Sequence, residues 1–288
     1  MNESDVDAPG VYLYCFARSG MVPGIAAAGI GGAERVATLD VGAVAAVWSR
    51  VSLGEFCGEP AETNLKDLAW LGPRACQHEG VIEAVMRHSP VLPVRFGSVF
   101  SSEGALSKLM TARNEELSQF LGRVSGKEEW GVKGYVESEQ AAKGLLSNDP
   151  ALAEQQGSLS DSPGTRYFQE KKLRSLAEER LKAFCRAAAG QIHDELAGRA
   201  VEACRLTTRA RGLSDHEAAP VLNSAFLVLG GRVADFLECV ETINATYAQR
   251  GLKFVVSGPW PPYNFCPSID GIRQAHAAGS LSNGGAAE

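Results

Sequence analysis

Three features of the chain predict an α+β fold in two domains. Its 288 residues exceed what one average domain needs. The first half mixes short runs of β-branched and aromatic residues with segments of helical periodicity. The second half, after one long helical stretch, carries a β–β–α–β pattern that echoes the first, and strands and helices mixed in this order fit helices packed on one face of a mainly antiparallel sheet.

The elements follow in order. VYLYCFA (11–17) is aromatic and β-branched and is followed by Gly20, Pro23 and Gly24, which marks a strand and its exit. RVATLDV (35–41) and AVAAVWSRV (43–51) flank Gly42, the pattern of a hairpin with a tight turn. Residues 63–88 are helical in character, with Leu65, Leu68 and Leu71 on one face, and Gly72-Pro73 is expected to break or kink the helix. VLPVRF (91–96) reads as a strand in which Pro93 needs an edge position. Residues 103–121 predict a second amphipathic helix, and EWGVKGYVE (129–137) is expected to close the first domain as a strand. The expected domain is therefore 11–137, preceded by a disordered 1–10.

Residues 138–164 read as a linker or insertion because the stretch from 144 is small and polar. The second domain is placed at 165–278. It opens with a long helix, 165–201, whose stripe of Leu173, Ala177, Leu181, Phe184, Ala188, Ile192 and Leu196 suits either a coiled-coil arm or the spine of a sheet. The strands 202–209 and 221–229, a helix over about 231–249 and the strand 252–260 complete it, and the tail 279–288 is expected to be disordered.

Composition excludes some functions. A net charge of −6 argues against general nucleic-acid binding, which needs clustered cations to neutralise phosphates. The first ten residues lack the pattern of a signal peptide, and the longest apolar run falls far short of the ~20 residues needed to span a bilayer, so no membrane insertion is expected. The seven cysteines are scattered without a C-x-x-C pair, which fits reduced thiols in a cytoplasmic protein.

No phosphate loop, nucleophile elbow or H-E-x-x-H motif is present, so neither a catalytic residue nor a metal or cofactor is expected. His78-Glu79 lacks the second histidine a zinc site needs, since position 82 is Ile. The plainer reading makes His78 a hydrogen-bonded residue near the core, with Glu79 and Glu83 on a solvated face. Arg95 follows a strand expected to be buried. It fits an ion pair with Glu79 or Glu129, or a contact with a partner. GPWPPYNF (258–265) is the most unusual string. Pro259, Pro261 and Pro262 stiffen it, so Trp260, Tyr263 and Phe265 are candidate partner anchors that lose little entropy on contact, or residues that close the core.

PVLPVRFG (90–97), EWGVKGYV (129–136) and GPWPPYNF together resemble the GvpL/GvpF family of gas vesicle proteins, as do LAWLGPRACQHEGVIEAV (68–85) and VYLYCFA. The resemblance implies two α+β domains, each a ferredoxin-like variant, the second with a long helix. It implies an accessory or minor structural protein, in the cytoplasm and associated with the gas vesicle. Such a protein would bind the major gas vesicle shell protein, and other accessory proteins, during nucleation and assembly, and prevent premature aggregation. It implies no catalytic residues. A ligand-binding protein or enzyme using the His78/Arg95 region is the alternative.

Overall fold

The computed structural model of the chain describes residues 8–22, 24, 28–32, 35–137, 141, 150–207 and 220–269. The expected tail, 279–288, most of the expected N-terminal segment, and residues 138–140 and 142–149 of the expected linker lie outside these residues. The chain divides into two compact units: it leaves the first after Gly126 and returns to it at Pro261, and the second runs from Lys127 to Trp260.

The first unit is organised around β1 (Pro9–Arg18), flanked by β3 (Val44–Ser52), with β2 (Ala37–Val41) beyond it. On its other side β1 pairs with β4 (Val91–Pro93) and, further along, with β5 (Val99–Phe100), and every pairing is antiparallel. Val41 lies opposite Val44, so the β2–β3 hairpin closes through a two-residue turn at Gly42, whose φ of 58° favours glycine. Pro93 sits in an edge strand of three residues, as its missing donor requires.

Five helices complete the unit: α1 (Leu53–Phe56), α2 (Gly58–Asn64), α3 (Leu68–Met86), α4 (Glu103–Ala112) and α5 (Asn114–Val124). The expected helix over 63–88 is two helices, and α3 starts where the Asp67 carboxylate accepts from the Ala69 N–H at 2.9 Å. Its expected break at Pro73 does not occur. Pro73 stands in the second turn, where it frees only the Ala69 carbonyl, and both residues are exposed to water. The expected helix 103–121 is divided at Arg113, and Asn114 at the division donates its side-chain amide to the Val41 carbonyl at 2.7 Å.

Tyr12, Tyr14 and Ala17 of β1 pack with Val81, Ile82 and Val85 of α3, whereas Leu13 and Phe16 are equally buried outside that cluster. The central strand is thus covered on both faces, not on one, and accordingly reads as a continuous apolar run.

The second unit contains β6 (Lys127–Val136), α6 (Pro150–Gly157), α7 (Pro163–Ala197), β7 (Glu202–Arg205), β8 (Leu222–Leu229), α8 (Val233–Ala248) and β9 (Leu252–Trp260). The strand order is β7-β8-β6-β9, antiparallel throughout. β6 therefore opens the second sheet and does not close the first domain. Trp130, Val132 and Val136 pack into the core of the second unit, and a strand-like run in the sequence does not say which sheet receives it. In strand sequence, the two sheets share one order, second–third–first–last, which is compatible with the expected ferredoxin-like arrangement.

The core of the second unit forms where Cys185, Ala188, Ile192 and Leu196 of α7 and Phe236, Val240 and Ile243 of α8 meet Val132, Phe226, Val228 and Phe254 of the sheet. Each large apolar side chain buried there contributes about 1.5–3 kcal/mol. The N-terminal half of α7 packs against no sheet, and Tyr167 and Phe168 are 63% and 72% exposed. α7 is therefore a spine over its second half only. α6 replaces part of the expected linker.

Candidate functional site

The expected anchor string 258–265 is divided between the two units. Gly258, Pro259 and Trp260 end β9, while Pro261 to Phe265 belong to the first unit. Gly258 has φ 136°, and a Cβ there would lie 2.8 Å from the Glu129 carbonyl oxygen, so this close approach of β9 to β6 needs glycine. Trp260 is 45% exposed, with its indole N–H on the Ser257 hydroxyl at 3.1 Å. Val255 on the same strand is 44% exposed.

Beyond Trp260 the chain turns inward. Pro261, Pro262 and Phe265 are buried, and Tyr263 donates its phenol to the Glu79 carboxylate at 2.8 Å. The Arg123 guanidinium donates to the Phe265 carbonyl at 2.6 Å, and the Cys266 thiol lies 3.8 Å from the Pro93 carbonyl. Residues 261–266 thus form a strap held by α3, α5 and β4. Of the three expected anchors, Trp260 is the exposed one. Tyr263 and Phe265 close the core of the first unit.

His78 is 1% exposed and occupies the centre of a polar chain. The Gly97 N–H donates to the Tyr12 oxygen at 3.1 Å, and Tyr12 O–H and His78 Nδ1 are 2.9 Å apart. His78 Nε2 lies 3.1 Å from the Val94 carbonyl, which only an N–H can satisfy. The ring is therefore the neutral Nε2–H tautomer, accepting from Tyr12 at Nδ1. Burial pushes its pKa down to about 4, against the opposing pull of the Val94 carbonyl. Tyr12, Tyr14, Phe96 and His78 form a ring cluster with centroids 5.0–6.0 Å apart.

Both ring nitrogens are engaged, so His78 is the satisfied core residue its apolar neighbours suggested. Glu79 departs from the expected solvated face: burial raises its carboxyl pKa, the Tyr263 hydrogen bond lowers it and Glu83 raises it again. Arg95 is corrected more sharply. It is exposed, and its guanidinium forms no ion pair among the described residues, because β4 ends at Pro93 and the chain has already turned outward. Of the two carboxylates expected to serve it, Glu129 is buried on β6, and Glu79 is taken by a tyrosine 184 residues away in sequence, which no spacing rule could reveal.

Of the cysteines, Cys15, Cys185 and Cys239 are buried, Cys57, Cys204 and Cys266 half-buried, and Cys76 exposed. An open groove of about 590 Å³ in the second unit is lined by Val136, Leu181, Cys185 and Val221 and by Glu178, Lys182 and Arg186. No helix among the described residues is long and apolar enough to cross a membrane.

Fold and site together define a two-unit α+β protein whose buried polar groups are spent on holding its own chain in place. The comparisons with known proteins say which such protein family this is. The profile of "Gas vesicle synthesis protein GvpL/GvpF" matches residues 10–267. Gas vesicle protein L of Streptomyces sp. (strain CB03234) is 30% identical over 88% of this chain and 91% of its own. Gas vesicle protein F of Haloferax mediterranei is 26% identical over 82% of this chain and 84% of its own. The crystal structure of GvpF from Anabaena sp. PCC7120 superposes with a TM-score of 0.66 at 19% identity, covering 90% of this chain and 98% of that one. GvpF from Microcystis aeruginosa gives a TM-score of 0.60 at 21% identity, covering 89% and 98%. The chain belongs to the GvpL/GvpF family of gas vesicle proteins.

Proposed function

We propose that this protein is a non-catalytic assembly factor of the gas vesicle, which works in the cytoplasm and at the vesicle, holds the hydrophobic shell protein during nucleation and keeps it from aggregating. The observation that carries the reading is the exposed Trp260 at the end of β9, a strand that also exposes Val255. A large aromatic on a proline-stiffened backbone is the type of group that anchors an apolar partner at low entropic cost. The alternative, chemistry at His78 and Arg95, finds little support, since one is sealed by two hydrogen bonds and the other stands alone at the surface.

The test is capture of the co-expressed shell protein by the tagged chain, read beside electron microscopy of cells lacking the gene. Missing or malformed vesicles are expected. Trp260→Ala should weaken capture roughly 30-fold or more, as truncation of an aromatic anchor costs about 2–4 kcal/mol. Normal vesicles without the gene, or no capture by the wild-type chain, would sink the reading.

A further inference from the structure

Apart from β5, which is only two residues long, the two sheets have four edge strands among the described residues, and three carry a recognisable device against strand addition. At β9 the Asn244 side chain of α8 turns back on the strand. Its amide donates to the Phe254 carbonyl at 2.8 Å, and its oxygen accepts the Phe254 N–H at 2.7 Å. Both outward backbone groups at the middle of that edge are thereby filled by one carboxamide. At β4 the strand is three residues long, ends in Pro93 and is crossed by the strap through Cys266. At β7 the strand is four residues long and has a charge at each end, Glu202 and Arg205. Short strands, proline, charges and covering segments are the established ways of blunting an edge.

β2 is five residues long and carries one charge, the exposed Asp40, but it holds no proline, and among the described residues nothing fills its outward backbone groups. Because Val41 and Val44 close a two-residue turn, Val41, Leu39 and Ala37 exchange their backbone bonds with β3, which leaves the N–H and C=O of Thr38 and Asp40 pointing away from the sheet. The neighbouring strand agrees with this parity, since Ala45 and Val47 face β1. Among the described residues no group takes these outward positions at Thr38 and Asp40. The side chains alternate as well: Thr38 and Asp40 are exposed, while Ala37, Leu39 and Val41 are half-buried.

We infer that the β2 edge is a docking site for an extended segment of the shell protein, which joins the first sheet as an added strand beside residues 37–41. Unpaired donors and acceptors at a strand's spacing select an extended backbone as occupant, and main-chain bonds supply the affinity. The half-buried row Ala37, Leu39 and Val41 selects a segment of alternating character, whose apolar side chains prolong that row. The partner's identity rests on the proposed function; the geometry of the edge does not.

Thr38→Pro tests it. Proline removes only the outward N–H, which bonds nothing among the described residues, and edge strands tolerate it there. The variant should melt like the wild type and capture the co-expressed shell protein at least tenfold more weakly. In the wild type, amide hydrogen exchange at Thr38 and Asp40 should be fast alone and protected in the complex. That second measurement decides the matter even if the variant fails to fold. Unchanged capture by folded Thr38→Pro, or no protection at these amides, overturns the edge while leaving the assembly role intact. A wild-type dimer formed without shell protein and abolished by Thr38→Pro also overturns it, because the occupant is then a second copy. No capture by the wild-type chain overturns the assembly role, and this inference with it.

Discussion

The two units solve one topology with different chemistry. Each arranges four strand positions in the same order, yet the first surrounds its central strand with hydroxyls and an imidazole, and the second chiefly with hydrocarbon, although Glu129 and Ser224 of its inner strands are buried. In the first, Tyr12, Tyr14, Ser49 and His78 are all fully buried and paired with one another or with backbone. In the second, Phe226, Phe236, Ile192 and Leu196 fill the equivalent space, with His193 at its margin on Ser224. A polar core fixes a chain where its hydrogen bonds require, since a misplaced strap would strand Tyr263 and Glu79 without partners. An apolar core is indifferent to such details and tolerates attachments, such as the unsupported half of α7. The first unit is specified by hydrogen bonds and the second by volume.

The contrast breaks most visibly at Phe226. Phe226→Ala opens a cavity among Phe236, His193 and the helices, and should destabilise the second unit by about 3–5 kcal/mol in a denaturant titration. A loss below about 1 kcal/mol would mean that this core is not tightly packed.

Acid should act chiefly on the first unit. The folded His78 stays neutral down to about pH 4, while the unfolded residue takes a proton near its ordinary 6.5. Between those values the unfolded state binds the extra proton, so the stabilisation present above pH 6.5 is lost as pH falls toward 4. The full effect is on the order of 3 kcal/mol. Glu79 works in the opposite sense, because its raised pKa costs stability as pH rises through the carboxylate range. His193 shifts in the same direction as His78 but is more exposed. Chemical denaturation at pH 7 and pH 5 should show the loss, and His78→Gln, which keeps a donor and an acceptor, should flatten it. An equal slope in the variant would place the acid sensitivity elsewhere.

A smaller effect sharpens the comparison at the edges. Asn244→Ala frees both backbone groups of Phe254 and should cost about 1–3 kcal/mol. It should also make the second sheet prone to edge pairing, seen as concentration-dependent light scattering that the wild type lacks.

Much of the fold was legible in the sequence. The tight turn at Gly42, the strands 252–260 and 222–229 and the helix after Leu229 follow from local pattern, because period and turn chemistry act within a few residues. His78 was legible for the same reason, since Val81 and Ile82 lie one turn away and Val85 two turns away on its own helix. The placement of the anchors was not. Trp260 and Tyr263 are three residues apart in a string that reads as uniformly aromatic, yet one is exposed on β9 and the other is clamped to Glu79.

The sequence by itself determined the family, the element types and the absence of a recognisable catalytic motif. Tertiary structure alone decided that β6 opens the second sheet, that Pro73 is tolerated within α3, that Arg95 has no ion pair among the described residues while Glu79 is held by Tyr263, and which sheet edge stays open. The reason is one of range. Periodicity and capping are set by neighbours three or four positions away, whereas strand pairing and the Tyr263–Glu79 hydrogen bond join residues separated by most of the chain, and their energies exist only once both partners have been brought together.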